Sequence, residues 1–378
     1  MRCNAHILNI IVKDGLEVIE SSTETIRNNV SYWSASQSRV EKFEKARRES
    51  KVECTKKLAL DCTTRWNSTF HMLETAIRYR EVFLRLRRRE RNTISVPSEE
   101  EWDLAQEICG RLELFHSTTE EFFGTRYPTS NLLFPKICEI KLALTSWCDS
   151  SCDKIRSLAS KMLAKFDDYW GECHLIAGIA VVLDPRYKLK FLDHVLEKIH
   201  GEEQKKLYLK PARDACVELM KEYQRKLKPN EVISKPSSSN VATSSKSKWD
   251  IFSDYDTIVN DQSGVGAAKS ELDHYLEEQV FPRSQPNFDI LEWWKVNGSK
   301  YPTLQLIARD ILGIPASTVA SESAFSTSGR IVSPHRSRLG TEILEALMLT
   351  QDWLWNNLEE GTFKVILHLN CLFFALLI

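Results

Sequence analysis

Between Glu99 and Met220 apolar residues recur every three or four positions almost without a break, the spacing that lines one face of a helix. A chain carrying so long a stretch of this kind must fold mainly as packed helices. The pattern predicts helices over Glu99–Phe115, with Ser98 as N-cap, over Phe134–Trp147, with Pro135 in the first turn, and over Ser151–Tyr169, then a further block to Tyr223. Leu183-Asp-Pro-Arg-Tyr-Lys188 interrupts them. Asp184 there has no second acid at useful spacing, and Asp-Pro favours a turn, so the segment reads as a turn and not as a carboxylate site.

The first ninety residues are more mixed. Ile7, Leu8, Ile11 and Val12 fall at helical spacing, and residues 16–50 read as one or two long polar helices. The basic run Lys42–Arg48 at their end reads as a solvated face. Cys3 and His6 have the spacing of half a zinc site, but zinc takes four ligands, usually in paired spacings, and no second pair follows. The pair therefore reads as structural, and no metal or other cofactor is expected. Leu58, Leu60 and Cys62 alternate as in a half-buried strand, and Asn67 or Ser68 is placed to cap a helix over Thr69–Arg89. Arg85, Arg87, Arg88, Arg89 and Arg91 form the densest positive patch, which suits phosphates or the solvated end of a helix equally well.

Residues 228–270 are rich in Ser, Pro, Gly and Lys and read as a flexible linker. Beyond it, Leu304–Gly313 is a short amphipathic helix ended by Gly313 and Pro315. Ser317 or Thr318 then opens a helix of small residues that contains Glu322. A third helix, Glu342–Leu358, carries the stripe Leu344, Leu347, Leu354 and Leu358. The end of the chain, Val365–Ile378, is apolar but shorter than the roughly 20 residues that span a bilayer. A non-native end, a tail anchor and a core strand are its open readings, and no membrane partner is expected.

Charge excludes one simple answer. With 51 basic and 52 acidic residues the net charge is −1, so DNA contact has to come from local patches. The ten scattered cysteines lack the regular spacing of a disulfide framework and suit a reducing compartment, cytosol or nucleus. No glycine loop that cradles phosphate and no Ser/His/Asp order of a hydrolase is present, so no small-molecule substrate is expected.

Six ordered blocks carry a resemblance: Leu272-Asp-His-Tyr-Leu276, Ile290-Leu-Glu-Trp-Trp-Lys295, Tyr301-Pro-Thr-Leu304, Ile314-Pro-Ala316, Ser321-Glu-Ser-Ala-Phe-Ser326 and Arg336-Ser-Arg-Leu339. Together they resemble the C-terminal dimerisation region of hAT-superfamily transposases, and most of all the plant domesticated, zinc finger BED domain-containing members. Asp61 with Arg65-Trp-Asn-Ser68 resembles a further hAT block, Leu183–Lys188 a recurrent block of plant members, and Cys3/His6 the family's Cys-x-x-His block.

The resemblance implies an RNase H-like nuclease fold with an all-helical insertion. The family's Asp-Asp-Glu triad holds two divalent metals that clamp the attacking and leaving oxygens of a phosphodiester. Both aspartates lie upstream of the Cys-x-x-His block, so they and the BED finger are expected to be missing from this chain. Glu322 matches the third carboxylate and reads as vestigial. Trp66, by the same resemblance, stacks on an extruded base; a buried strand-end tryptophan is the alternative.

The expected fold is thus mainly α: a truncated RNase H-like core (1–90), its helical insertion (91–227), the linker (228–270), a helical dimerisation module (271–358) and the apolar tail (359–378). The expected function is a transposase-derived, non-catalytic protein of the nucleus that forms a homodimer. DNA is an expected partner, bound weakly and without sequence preference through Trp66, Arg65, Arg85, Arg87, Arg88 and Arg89. The dimer contact is expected at Trp293, Trp294, Phe325, Leu344, Leu347, Leu354 and Leu358. The alternative is part of a metal-dependent hAT transposase.

Overall fold

The computed structural model describes residues 3–62, 65–89, 95–124, 126–170, 174–227, 270–285, 287–319 and 340–356. They are mainly α-helical, and no strand occurs among them. Among the described residues no helix is long and apolar enough to cross a membrane. The chain divides into two compact units, 1–316 and 317–378.

In the first unit, α1 (Asn4–Val18) buries Ile7, Leu8, Ile11 and Val12, the face its spacing predicts. It crosses α8 (Asp153–Trp170) at close range. Gly15 permits that crossing, because a Cβ there would stand 2.5 Å from Cγ of Met162. α2 (Glu20–Ser34) and α3 (Gln37–Glu49) resolve residues 16–50 into separate helices. α4 (Trp66–Arg78), α5 (Arg80–Arg89) and α6 (Glu99–Phe122) follow. Ser98 caps α6 as expected, in a reciprocal box with Glu101.

α7 (Ser130–Trp147), α9 (His174–Val182) and α10 (Lys188–Leu227) complete the large helices. Pro135 lies inside α7 and not in its first turn, because the helix starts at Ser130. α10 is broken at Gly201, where φ is +79°, a conformation that suits glycine. Lys205 holds the two halves together through Asp193 (3.2 Å), Glu197 (3.0 Å) and Glu202 (2.6 Å).

Two hydrophobic clusters result. The larger draws on α1, α4 and α6–α10, together with α11 (Glu271–Glu277), α12 (Ile290–Asn297) and α13 (Pro302–Leu312). The smaller joins α2 to α5 around Phe43, Tyr79 and Phe83, closed by Trp102 of α6. Helices on either side of residue 90 therefore pack together, α1 on α8 and α4 on α6.

Two local expectations need correction. The strand at 58–62 is absent: Leu60 is 51% exposed, and residues 52–62 adopt no regular structure. Side chains tie this segment down in place of a ladder. Tyr79 donates its hydroxyl toward the carbonyls of Cys54 (2.9 Å) and Lys56 (2.6 Å), and Arg47 reaches that of Val52 (3.2 Å). The helix set at Thr69–Arg89 starts instead at Trp66, after Arg65, and breaks at Tyr79. Ser68 does not cap it; its hydroxyl accepts from the Cys62 N–H (2.7 Å) and lies 2.6 Å from the Arg65 carbonyl oxygen.

In the second unit, α14 (Thr341–Asn356) is described, close to the predicted span. Ile343 and Leu349 on it are 55% and 62% exposed, while Leu344 and Leu347 are half-buried. Glu322, Phe325 and Leu358, the linker at 228–269 and the apolar tail lie outside the described residues, as does the Leu354 side chain.

Candidate functional site

Trp66 opens α4 and is 4% exposed, with Phe70 of the same helix 6.4 Å away between ring centres. Its remaining surface lines a cleft of about 270 Å³ together with Lys13, Leu16, Thr23, Arg27 and Thr69. In this conformation the ring offers no open face on which a base could stack. Beside the cleft, Arg27 makes two 2.9 Å bonds to the carboxylate of Asp61, and the Thr69 hydroxyl adds a third at 2.8 Å. Burial pushes the Asp61 carboxyl up, but these bonds outweigh it and hold it below its usual range. Asp61 thus serves as a buried counter-ion. Arg65, next to Trp66, is exposed at the start of the helix.

The arginines of α5 fall into two groups. Arg85 and Arg89 both reach one oxygen of Glu49 on α3, at 3.2 and 2.6 Å. Arg87 and Arg88 are exposed, and no ion pair among the described residues involves them. Arg91 lies outside the described residues, as do Arg330, Arg336 and Arg338. Trp66 and the α5 arginines belong to different clusters, the ring in the larger core and the arginines beside the smaller one.

The turn at 183–187 carries the densest set of long-range bonds. Asp184 in it is fully buried, and its carboxylate accepts from Asn131 (2.8 Å) and from the Arg186 guanidinium (3.0 and 2.7 Å). The turn therefore forms as the Asp-Pro pair predicts, with its carboxylate consumed in holding it. Its backbone receives α11, α12 and the loop between them. Tyr275 donates its hydroxyl to the carbonyl of Val182 (3.0 Å), Trp294 its indole N–H to that of Leu183 (2.9 Å), and the Phe281 N–H to that of Pro185 (2.9 Å).

Lys188, at φ +52°, closes the arrangement from the other side. The residue is 1% exposed, and its ammonium donates to the carbonyls of Tyr275 and Glu278, the latter at 3.1 Å, at the C-terminal end of α11. Burial pushes it down to about 8. Tyr275 lies between Trp294 and Tyr301, with ring centres 5.4 and 5.6 Å away. Trp294, expected at a dimer contact, is 3% exposed inside this box, and Trp293 packs half-buried against the same core. Downstream, the Ala316 carbonyl accepts from Asn4 Nδ2 (2.7 Å), and its N–H donates to the Thr129 hydroxyl (2.9 Å). Sequence reasoning missed Lys188, Tyr275 and Asn4 as anchors, because nothing local marks a side chain whose partner is a backbone carbonyl far along the chain.

Comparison with protein families gives three ordered matches. Residues 1–111 match the ZBED1 RNase-like helical domain, residues 131–223 the hAT-like transposase RNase-H fold, and residues 271–354 the hAT family C-terminal dimerisation region. The chain carries hAT transposase domains. Among curated proteins it is similar to the zinc finger BED domain-containing protein RICESLEEPER 2 of Oryza sativa subsp. japonica, 37% identical over 94% of this chain and 50% of that protein. A putative AC transposase of Zea mays is 36% identical over 96% of this chain and 45% of that protein. The zinc finger BED domain-containing protein DAYSLEEPER of Arabidopsis thaliana is 34% identical over 83% and 43%. The chain thus spans about half the length of the curated relatives it matches. In this hAT chain the segment matched as dimerisation region begins with α11–α13, which are anchored to the 183–188 turn, and it also includes most of α14.

Proposed function

We propose that this chain is a transposase-derived protein of the nucleus that pairs with a second copy of itself and holds DNA without cutting it. The observation that carries the reading is the match to the hAT dimerisation region together with the exposed apolar residues Ile343 and Leu349 on α14. A helix with apolar residues on its open side suits a protein partner. DNA contact rests on Arg65, Arg87 and Arg88, which are exposed, with Arg85 and Arg89 beside them; the cleft at Trp66 is the site for a base if that ring turns outward. The non-catalytic reading is supported by the fate of two aspartates in hAT-like blocks: Asp61 neutralises Arg27, and Asp184 holds its own turn. The free thiols Cys54, Cys109, Cys138, Cys148, Cys152 and Cys216 suit a reducing compartment.

The likeness to the Zea mays putative AC transposase favours a second reading, in which the chain is part of a metal-dependent hAT transposase whose BED finger and catalytic aspartates lie outside it. The second reading is supported if a longer product of the same gene, carrying the BED finger and both aspartates, cuts a transposon end; the first predicts that the chain itself does not. The chain incubated with a hAT transposon-end duplex and Mg²⁺ or Mn²⁺ should leave the duplex uncut. Cleavage that disappears in Glu322→Gln would establish the enzyme.

A further inference from the structure

The structure joins two basic runs that are far apart in sequence. Phe43 of α3 packs on Phe83 of α5, with ring centres 5.3 Å apart, so the two helices lie side by side. Lys42, Lys45 and Glu49 share one face of α3 by their spacing of three and four, and Arg85, Arg88 and Arg89 share one face of α5. The bonds from Arg85 and Arg89 to Glu49 bring these two faces together. The result is a surface on which Lys42, Lys45, Arg85, Arg88 and Arg89 outnumber Glu49 and Glu81, with Lys42, Lys45, Arg88 and Arg89 exposed.

We propose that this two-helix surface binds the phosphate backbone of duplex DNA, and that Glu49 occupies in the free chain the anion position a phosphate takes in the complex. The proposal rests on the DNA-binding reading above and gives it a place and a built-in competitor. Two guanidinium groups converging on one carboxylate oxygen form the donor arrangement that also receives a phosphate oxygen. Packed helices stand roughly 8–10 Å apart, and a helical turn rises about 5.4 Å, so the cations form two short rows over several phosphates. No large apolar side chain is exposed among the described residues of α3 or α5, which disfavours insertion into a membrane or an apolar protein contact. A rigid duplex, read by charge alone, suits such a surface.

The test uses the whole chain and a labelled duplex of arbitrary sequence, titrated across roughly 50–200 mM KCl. Lys45→Ala combined with Arg88→Ala should weaken binding about tenfold at the low end. It should also reduce the slope of log affinity against log salt by about 2, near 0.9 for each phosphate that no longer meets a cation. Glu49→Gln should tighten binding about fivefold, the upper end for one exposed charge pair. Arg88→Lys should keep the slope. Wild type that binds the duplex with a slope unchanged in the double variant leaves the DNA reading standing and overturns this surface. Wild type that binds no duplex overturns both. Tighter binding to phosphatidylserine vesicles or polyglutamate than to the duplex, or weaker duplex binding by Glu49→Gln, also overturns the proposal.

Discussion

Trp294 donates its indole N–H to the carbonyl of Leu183 at 2.9 Å, across 111 positions of sequence. The bond ties α12 of the matched dimerisation region to the turn ahead of α10. A buried carbonyl that loses its donor keeps its desolvation cost, about 1–3 kcal/mol. Trp294→Phe should therefore lower unfolding stability by that amount, measured by urea denaturation, while leaving the far-ultraviolet spectrum unchanged. A loss within a few tenths of a kcal/mol would show that the carbonyl finds another donor.

Lys188 predicts a pH dependence. Its ammonium sits at about 8 when folded and near 10.5 when free, so between those values the unfolded chain binds the extra proton. Stability contributed by this residue should then rise with pH across that window, by up to about 3 kcal/mol. Comparing wild type with Lys188→Met by urea denaturation isolates it, since the other lysines are common to both. A stability difference that stays flat from pH 8 to 10 would sink the idea.

Asp61 predicts the same sign in an acid window, because its folded pKa is also depressed. Its folded pKa is depressed by Arg27 and Thr69, so its contribution is present above the ordinary carboxylate value and is lost as pH falls through the folded one. Asp61→Asn should cost about 2 kcal/mol at neutral pH, below the usual figure for breaking a buried pair because Arg27 keeps 21% exposure. The gap from wild type should narrow as pH falls below the ordinary carboxylate value. A gap that is the same at pH 3 and pH 7 would assign the cost to packing.

The C-terminal helix predicts association. At about 10 µM, well above the dissociation constant of an ordinary specific dimer, the whole chain should sediment as a dimer. Leu347→Asp with Leu354→Asp should give a folded monomer, because a charge placed in an apolar contact without a partner is costly. A monomeric wild type would remove the dimer from the proposed function. The whole chain is the proper sample here, because α11 and α12 depend on the carbonyls of Val182, Leu183 and Pro185.

Sequence alone determined what short-range physics controls. Periodicity placed α1, α6, α8 and α13 and the buried face of α1; Ser98 announced the start of α6, and Asp184-Pro185 the turn. The ordered hAT blocks also identified the family, because a string of motifs can be recognised without any knowledge of tertiary packing. Alternation at Leu58–Cys62 misled, since a strand needs a neighbour to share its hydrogen bonds and none is present among the described residues. Only the tertiary structure decided that Trp294 and Trp66 are core residues, that Asp61 neutralises Arg27 and Asp184 meets Asn131, and that α3 and α5 form one basic surface. Each of those outcomes depends on how the helices pack, and for Trp294 and Asp61 the partner lies tens to more than a hundred residues away. A residue's type and spacing carry no information about which distant group it will meet.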